Sequence, residues 1–144
     1  MSDIKLFSNF FEVKESTDDF FNNSVLKAAY LVGAFVSAIV EASWDGVIRD
    51  DEIVSYVKEN ETFKKWLSNQ QINYKNLLKI FNKAFYYQRK FNLDSAIVKD
   101  LSRLVTDHLK IKLDHQVSDQ EVSFAFVRGY NDFRTFKYTK KGEN

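Results

Sequence analysis

No proline interrupts this chain of 144 residues, and only four glycines occur in it. Proline and glycine are the residues that most often end helices and form the tight turns of β-hairpins. In the long segments apolar residues recur at a period near 3.6 residues, which is the period of an amphipathic helix. The sequence therefore predicts an all-α protein without a β-sheet.

The most apolar segment, VLKAAYLVGAFVSAIVEAS, contains a charge-free run of 13 residues from Ala28 to Val40. A helix that crosses a bilayer needs ~20 apolar residues. We therefore interpret the run as a core helix, and its apolar side chains on every face are typical of a helix surrounded by others. The small residues Gly33, Ala34, Ser37 and Ala38 would let a neighbouring backbone approach it closely.

Polar residues at the edges of the apolar segments predict where the helices begin. We expect a helix that restarts near Arg49 after a break at Gly46, and a separate short helix within NETFKKWLSNQQIN. The predicted caps are Ser24, Asn73, Asp94 or Ser95, and Ser118 with Glu121 as a capping box. These segments predict one domain, residues 1–144, built as a compact bundle of about five to seven helices.

Residues that could carry catalysis or bind a metal are few. The chain has no cysteine and two histidines, His108 and His115, which on a helix would lie ~10 Å apart, too far to bind one metal ion. The acidic segment WDGVIRDDE lacks the ligand spacing of a calcium loop, so Asp50, Asp51 and Glu52 predict the first turn of a helix. No catalytic motif appears. We expect no enzymatic activity, no metal and no cofactor.

Charge is distributed unevenly along the chain. Residues 1–73 hold 7 Lys and Arg against 12 Asp and Glu, whereas residues 74–144 hold 14 against 8. Acidic residues near the start argue against a secretory signal, so we expect a cytoplasmic protein. The asymmetry suggests one surface for protein neighbours and another for a polyanion, although segregation of surface charge by chance is an equally good interpretation.

A stripe of lysines follows one face of the segment YKNLLKIFNKAFYYQRKF. At 100° per residue its members fall within an arc of about 80°, nearly opposite a predicted core face. No Asp or Glu occurs between the first and last lysine, and like charges four residues apart destabilise a helix. The pattern favours contact with a phosphate backbone over a solvated face. The stripe is Lys75, Lys79, Lys83, Tyr86 and Lys90; the core face is Tyr74, Leu77, Leu78, Phe81, Ala84 and Phe85.

The last helix adds further basic residues. We expect its inward face to carry most of the aromatic residues, with Gly129 allowing close packing. Basic residues continue from Arg128 into the tail and are either a second nucleic-acid contact or a solubilising end. The inward face is Val122, Ala125, Phe126, Gly129 and Phe133. The complete predicted nucleic-acid-binding set is Lys75, Lys79, Lys83, Lys90, Arg89, Arg128, Arg134 and Lys137.

Three segments of the sequence together resemble a known family. FFNNSVLKAAYLVGAFVSAIVEA, FKKWLSNQQINYKNLLKIFNKAF and SDQEVSFAFVRGYND are similar, in order and spacing, to the carboxy-terminal domain of the type I-B CRISPR large subunit. In such systems this domain is also made separately as the small subunit of the Cascade complex. Because the chain starts at Met1 without the rest of the large subunit, we expect it to be that small subunit.

The resemblance implies a helical bundle present in several copies, which contacts the Cascade backbone and large subunits and the guide RNA and target DNA that they carry. The first hypothesis is therefore a non-catalytic nucleic-acid-binding subunit with no membrane contact. The second is a helical adaptor or regulator that contacts only proteins. The third is a small enzyme or calcium sensor that uses Asp45, Asp50, Asp51 and His108.

Overall fold

The computed structural model describes residues 6–41, 48–109 and 117–142, with side chains as far as residue 136. Three 3-10 turns, Asp19–Asn22, Asp50–Glu52 and Tyr74–Asn76, precede helices. No β-strand occurs in these ranges, which confirms the predicted all-α fold and the predicted number of helices. The helices are α1 (Phe7–Thr17), α2 (Ser24–Val40), α3 (Ile53–Ser68), α4 (Leu77–Lys90), α5 (Ala96–Leu109) and α6 (Asp119–Gly142).

The central helix of the bundle is α2, as the charge-free run predicted. Every residue from Ala28 to Val40 is buried, because α4, α5 and α6 all pack against it. The predicted cap at Ser24 is wrong by one residue. The side chain of Asn23 accepts hydrogen bonds from the backbone N–H groups of Val25 and Leu26, so Ser24 is already the first residue of the helix.

The crossing of α2 and α6 depends on two glycines. A Cβ atom on Gly33 would lie 2.0 Å from the carbonyl oxygen of Phe126, and one on Gly129 would lie 1.9 Å from that of Tyr30. Each glycine thus faces the backbone of the other helix at a distance that no larger residue allows. This confirms the close approach that was predicted at both glycines.

Two buried polar contacts hold the ends of neighbouring helices. The carboxylate of Asp100 on α5 accepts a hydrogen bond of 2.8 Å from the backbone N–H of Ser8, in the first turn of α1, where the helix has no cap of its own. The hydroxyl of Tyr56 on α3 donates to the carbonyl oxygen of Ile39, 2.6 Å away, in the last turn of α2. Both satisfy backbone groups that a helix end leaves without a partner.

The segment after Arg49 forms one continuous helix, α3, and the separate short helix predicted within it is therefore wrong. Asp50, Asp51 and Glu52 form a 3-10 turn that directly precedes α3, and the predicted caps of the later helices are confirmed. The side chain of Asn73 accepts from Asn76 N, and Ser95 Oγ accepts from Val98 N. Ser118 and Glu121 form the predicted capping box.

The core face of α4 differs from the prediction. Leu78 is 56% exposed, so its assignment to the core is wrong, whereas Ile80, Tyr87 and Gln88 are buried. The buried face of α4 includes Tyr87 because α3 packs beside α4, where the rings of Phe63 and Tyr87 lie 5.0 Å apart. The expected inward face of α6 is buried throughout. Within the described ranges, no helix combines the length and the apolar character needed to cross a bilayer.

Candidate nucleic-acid interface

An open groove of about 840 Å³ runs between α3 and α4. Three of the four stripe lysines line it, because positions four residues apart lie on the same side of a helix. Lys75 lies in the 3-10 turn that Asn73 caps, directly before α4. The full lining is Glu59, Trp66, Lys75, Leu78, Lys79, Asn82, Lys83, Tyr86 and Tyr87.

Trp66 of α3 positions two of these lysines. The ammonium nitrogens of Lys79 and Lys83 lie 5.8 Å and 5.5 Å from the centroid of its ring. The indole also stacks on the buried ring of Phe63 at 6.2 Å, which fixes its plane. An aromatic face attracts a cation, so Trp66 holds both ammonium groups on the groove side of α4.

Lys90 differs from the other stripe lysines because it has an ion-pair partner. Its ammonium donates to Glu59 Oε1 at 2.6 Å, and this hydrogen bond raises the pKa of Lys90 above its ordinary value. Across the described part of the chain, no Asp or Glu forms an ion pair with Lys75, Lys79 or Lys83. The groove therefore contains three positive charges that have no carboxylate partner among the described residues.

A second open groove, of about 670 Å³, continues along α4. Asn82 and Tyr86 line both grooves, and Phe85, Arg89 and Lys90 complete the second. The guanidinium carbon of Arg89 lies 5.9 Å from the ring centroid of Phe85, and Arg89 is exposed. The two grooves together bring five of the predicted binding residues to one side of α4.

Arg128 lies in a different environment, between α6 and the segment before α2. Its guanidinium donates to Asp18 Oδ2 at 2.6 Å and covers the ring of Phe20 at 4.8 Å. The hydrogen bond from Arg128 is the main cause that lowers the pKa of Asp18, and the N–H of Phe20 acts in the same direction. Arg128 is only 25% exposed and is thus bound within the fold.

The neighbouring Asp132 accepts a hydrogen bond of 2.6 Å from the buried hydroxyl of Tyr30. Burial raises the pKa of Tyr30 well above its ordinary value, and this hydrogen bond adds to the effect. Arg134 forms an ion pair with Glu41 at 3.3 Å and stays partly exposed. Neither Arg128 nor Arg134 lines the grooves along α4. The side chain of Lys137 lies outside the described residues.

Among the residues that the structure describes, the candidate metal and acid–base side chains do not come together. Nδ1 of His108 lies 2.8 Å from the carbonyl oxygen of Leu104, and its ring meets Phe11 edge-on, which is a core-edge environment. His115 and Asp45 lie outside the described residues. Within the described ranges no group of three or more His, Cys, Asp or Glu side chains is placed to hold a metal ion.

Sequence reasoning missed Trp66 and Glu59 as parts of the site. Trp66 belongs to another helix, α3, and Glu59 precedes Lys90 by 31 residues, so neither is a neighbour of the stripe in the sequence. The sequence shows that the segment before the stripe contains charged and aromatic residues. It does not show which of them contacts the lysines, because that depends on how α3 packs against α4.

Comparison with family models assigns the chain to the CRISPR-associated proteins. The matching model is described as CRISPR-associated protein TM1802 (cas_TM1802) C-terminal domain, and the match spans residues 2–144. The chain belongs to this family. Neither the curated proteins nor the solved structures include a significant match to it.

Proposed function

We propose that the chain is a non-catalytic subunit of a Cascade-type CRISPR surveillance complex and contacts the phosphate backbone of guide RNA or target DNA. Its membership of a CRISPR-associated family supports the general role. The observation that carries the nucleic-acid contact is the groove along α4, where Lys75, Lys79 and Lys83 have no carboxylate partner among the described residues. The proposed subtype is I-B, in which the same domain forms the end of the large subunit.

Electrostatics support a polyanionic ligand for this groove. Like charges at four-residue spacing destabilise a helix by ~0.2–0.5 kcal/mol per pair, and Glu59 offsets only the last lysine of the row. Phosphates that bind these lysines remove the repulsion and release condensed counterions. Trp66 reduces the loss of side-chain freedom on binding, because it already holds Lys79 and Lys83 over its ring.

The predicted residues contribute unequally in this proposal. Lys75, Lys79, Lys83 and Arg89 form the primary contact, since all four lie along the two grooves. Lys90 is partly neutralised by Glu59. The remaining predicted residues, Arg128, Arg134 and Lys137, are proposed at most as a secondary contact.

Contact with protein neighbours is proposed at the start of α3, on the acidic half of the chain. Ile53, Val54 and Val57 are 42%, 81% and 52% exposed, and the acidic turn with Asp50 and Asp51 directly precedes them. Exposed apolar side chains beside acids suit a partner surface that combines apolar and basic residues. The proposed neighbours are Cascade backbone and large subunits and further copies of this chain.

This exposed surface also favours the second candidate function, a protein-only adaptor in which the lysines pair with acidic partner surfaces. Fluorescence anisotropy with a labelled oligonucleotide at low salt separates the two functions. We expect the Lys75→Gln, Lys79→Gln, Lys83→Gln triple variant to bind at least tenfold more weakly than the parent chain. Equal binding by the parent and the triple variant would contradict the nucleic-acid role.

A matched control removes the same number of charges elsewhere. Lys58, Lys65 and Lys99 are exposed lysines that line neither groove. Their replacement by Gln is expected to change affinity much less, since only the general field of the protein changes. If the control variant lost as much affinity as the groove variant, binding would depend on net charge and not on the groove.

A further inference from the structure

The face of α3 that meets the lysine stripe carries two groups of different character. Trp66 and Glu59 lie seven residues apart, which is about two turns of a helix, so both side chains lie on the same side of α3. The indole of Trp66 contacts Lys79 and Lys83 without cancelling their charge. The carboxylate of Glu59 instead pairs with the ammonium of Lys90 at 2.6 Å. The helix α3 thus leaves two lysines of the stripe charged and neutralises another.

Both members of this ion pair have further contacts that hold them in place. The hydroxyl of Ser55 lies 3.4 Å from the second carboxylate oxygen of Glu59, and the ammonium of Lys90 lies 5.7 Å from the ring centroid of Tyr86 and 5.8 Å from that of Phe91. Glu59 is the only acid among the described residues that line the two grooves. An ion pair that is partly exposed to water adds little to stability. The pair therefore affects the charge of the groove more than it affects the fold.

We propose that Glu59 restricts the stripe lysines that bind phosphate to Lys75, Lys79 and Lys83, because it holds Lys90 in an autoinhibitory ion pair. This inference rests on the proposed function and adds a residue that limits the contact. A phosphate that binds Lys90 would place its negative charge beside that of Glu59, and like charges this close repel one another even in water. Glu59 thus removes the last lysine of the stripe from the contact and lowers the affinity of the groove for a polyanion.

Binding of labelled oligo(dT) at several salt concentrations tests this role. Glu59→Gln keeps an oxygen that can accept a hydrogen bond from Lys90 but removes the negative charge. We expect this variant to bind about fivefold more tightly than the parent chain, with a salt dependence that is steeper by ~0.7, because Lys90 gains one phosphate. Lys90→Gln should flatten the slope by the same amount in the Glu59→Gln background, and it should leave the slope of the parent unchanged.

The matched control is Glu61→Gln, since Glu61 is also an acid of α3 that pairs with a lysine. Its carboxylate lies 3.8 Å from the ammonium of Lys64, and neither residue lines the grooves along α4. This variant changes the net charge as Glu59→Gln does, but it should increase affinity less and keep the parent slope. The inference is overturned if Glu59→Gln has the affinity and slope of Glu61→Gln, or if Lys90→Gln has the same effect on the slope in both backgrounds.

A measurement without nucleic acid separates failure of the inference from failure of the proposed function. Acetylation of Lys90, followed by mass spectrometry, should be severalfold slower in the parent than in Glu59→Gln, because the ion pair raises the pKa of Lys90 and only the unprotonated amine reacts. Acetylation of Lys75 should be equally fast in both. Equal rates at Lys90 would overturn the inference, while weaker binding by the triple lysine variant would still support the function. If neither the parent nor Glu59→Gln binds oligo(dT) at low salt, the proposed function fails, and the inference fails with it.

Discussion

Replacing Gly33 with alanine is expected to destabilise the fold at the crossing of α2 and α6. The new Cβ atom would lie 2.0 Å from the carbonyl oxygen of Phe126, whereas distances under 3.0 Å essentially never occur for real Cβ atoms. The obstacle is backbone and no rotamer change relieves it. The two helices must therefore separate by at least about 1 Å along a crossing that buries Tyr30 and Val122.

The magnitude follows from two opposing effects. Overpacking of a core typically lowers the free energy of unfolding by 1–3 kcal/mol. We expect the upper value, about 3 kcal/mol, because the backbone of Phe126 cannot move aside as a side chain can. Alanine regains about 1 kcal/mol because it is the better helix former. We expect a net loss of about 2 kcal/mol in the free energy of unfolding, which for a chain of this size lowers Tm by about 7 °C. Gly33→Leu, with a larger side chain, should lose more.

Thermal and urea unfolding followed by far-ultraviolet circular dichroism measure this loss. Thr62→Ala, at an exposed position of α3, is the control and should stay within about 0.5 kcal/mol of the parent. The double variant Gly33→Ala, Gly129→Ala should lose less than the sum of the single variants, because one separation of the helices relieves both contacts. A Gly33→Ala variant that melts with the parent or above it would refute the close crossing.

Further expectations concern polar contacts. Tyr56→Phe removes the hydroxyl that donates to Ile39 O and should lower the free energy of unfolding by about 1–2 kcal/mol in urea titration; an unchanged midpoint would contradict this cap. Arg128→Gln should lower Tm, because it breaks the hydrogen bond to Asp18, and a variant as stable as the parent would show that this pair contributes nothing. Since the folded-state pKa of Asp18 is lowered, its contribution is present above its unfolded pKa of about 3.9 and is lost as pH falls through the lower folded value. The Tm difference between the parent and Asp18→Asn should therefore shrink below pH 4; a constant difference would contradict the pairing.

Much of the fold followed from patterns that are local in sequence. The charge-free run predicted a helix that is buried on every face, and small residues at Gly33 and Gly129 predicted a close crossing. The capping box at Ser118 was recognisable because its two partners are three residues apart. Such features need no knowledge of how the helices pack against one another.

Features that depend on packing between helices were predicted poorly. Leu78 lies within the apolar pattern of α4 but is exposed, since α3 covers Tyr87 instead. The same reason applies to the site: the lysine stripe could be predicted from one helix, but its contacts with Trp66 and Glu59 could not. The ion pair between Arg128 and Asp18 could not be predicted either, because the two residues are 110 positions apart in the sequence.

The most direct test of the nucleic-acid contact is the salt dependence of oligonucleotide binding. For a single strand, log affinity falls with log salt by ~0.7 for each phosphate that a cation neutralises. If Lys75, Lys79 and Lys83 each bind one phosphate, the triple Gln variant should show a slope that is flatter by about 2 than that of the parent. The Lys58, Lys65, Lys99 control should keep the parent slope. An identical slope for the parent and the groove variant would contradict the account.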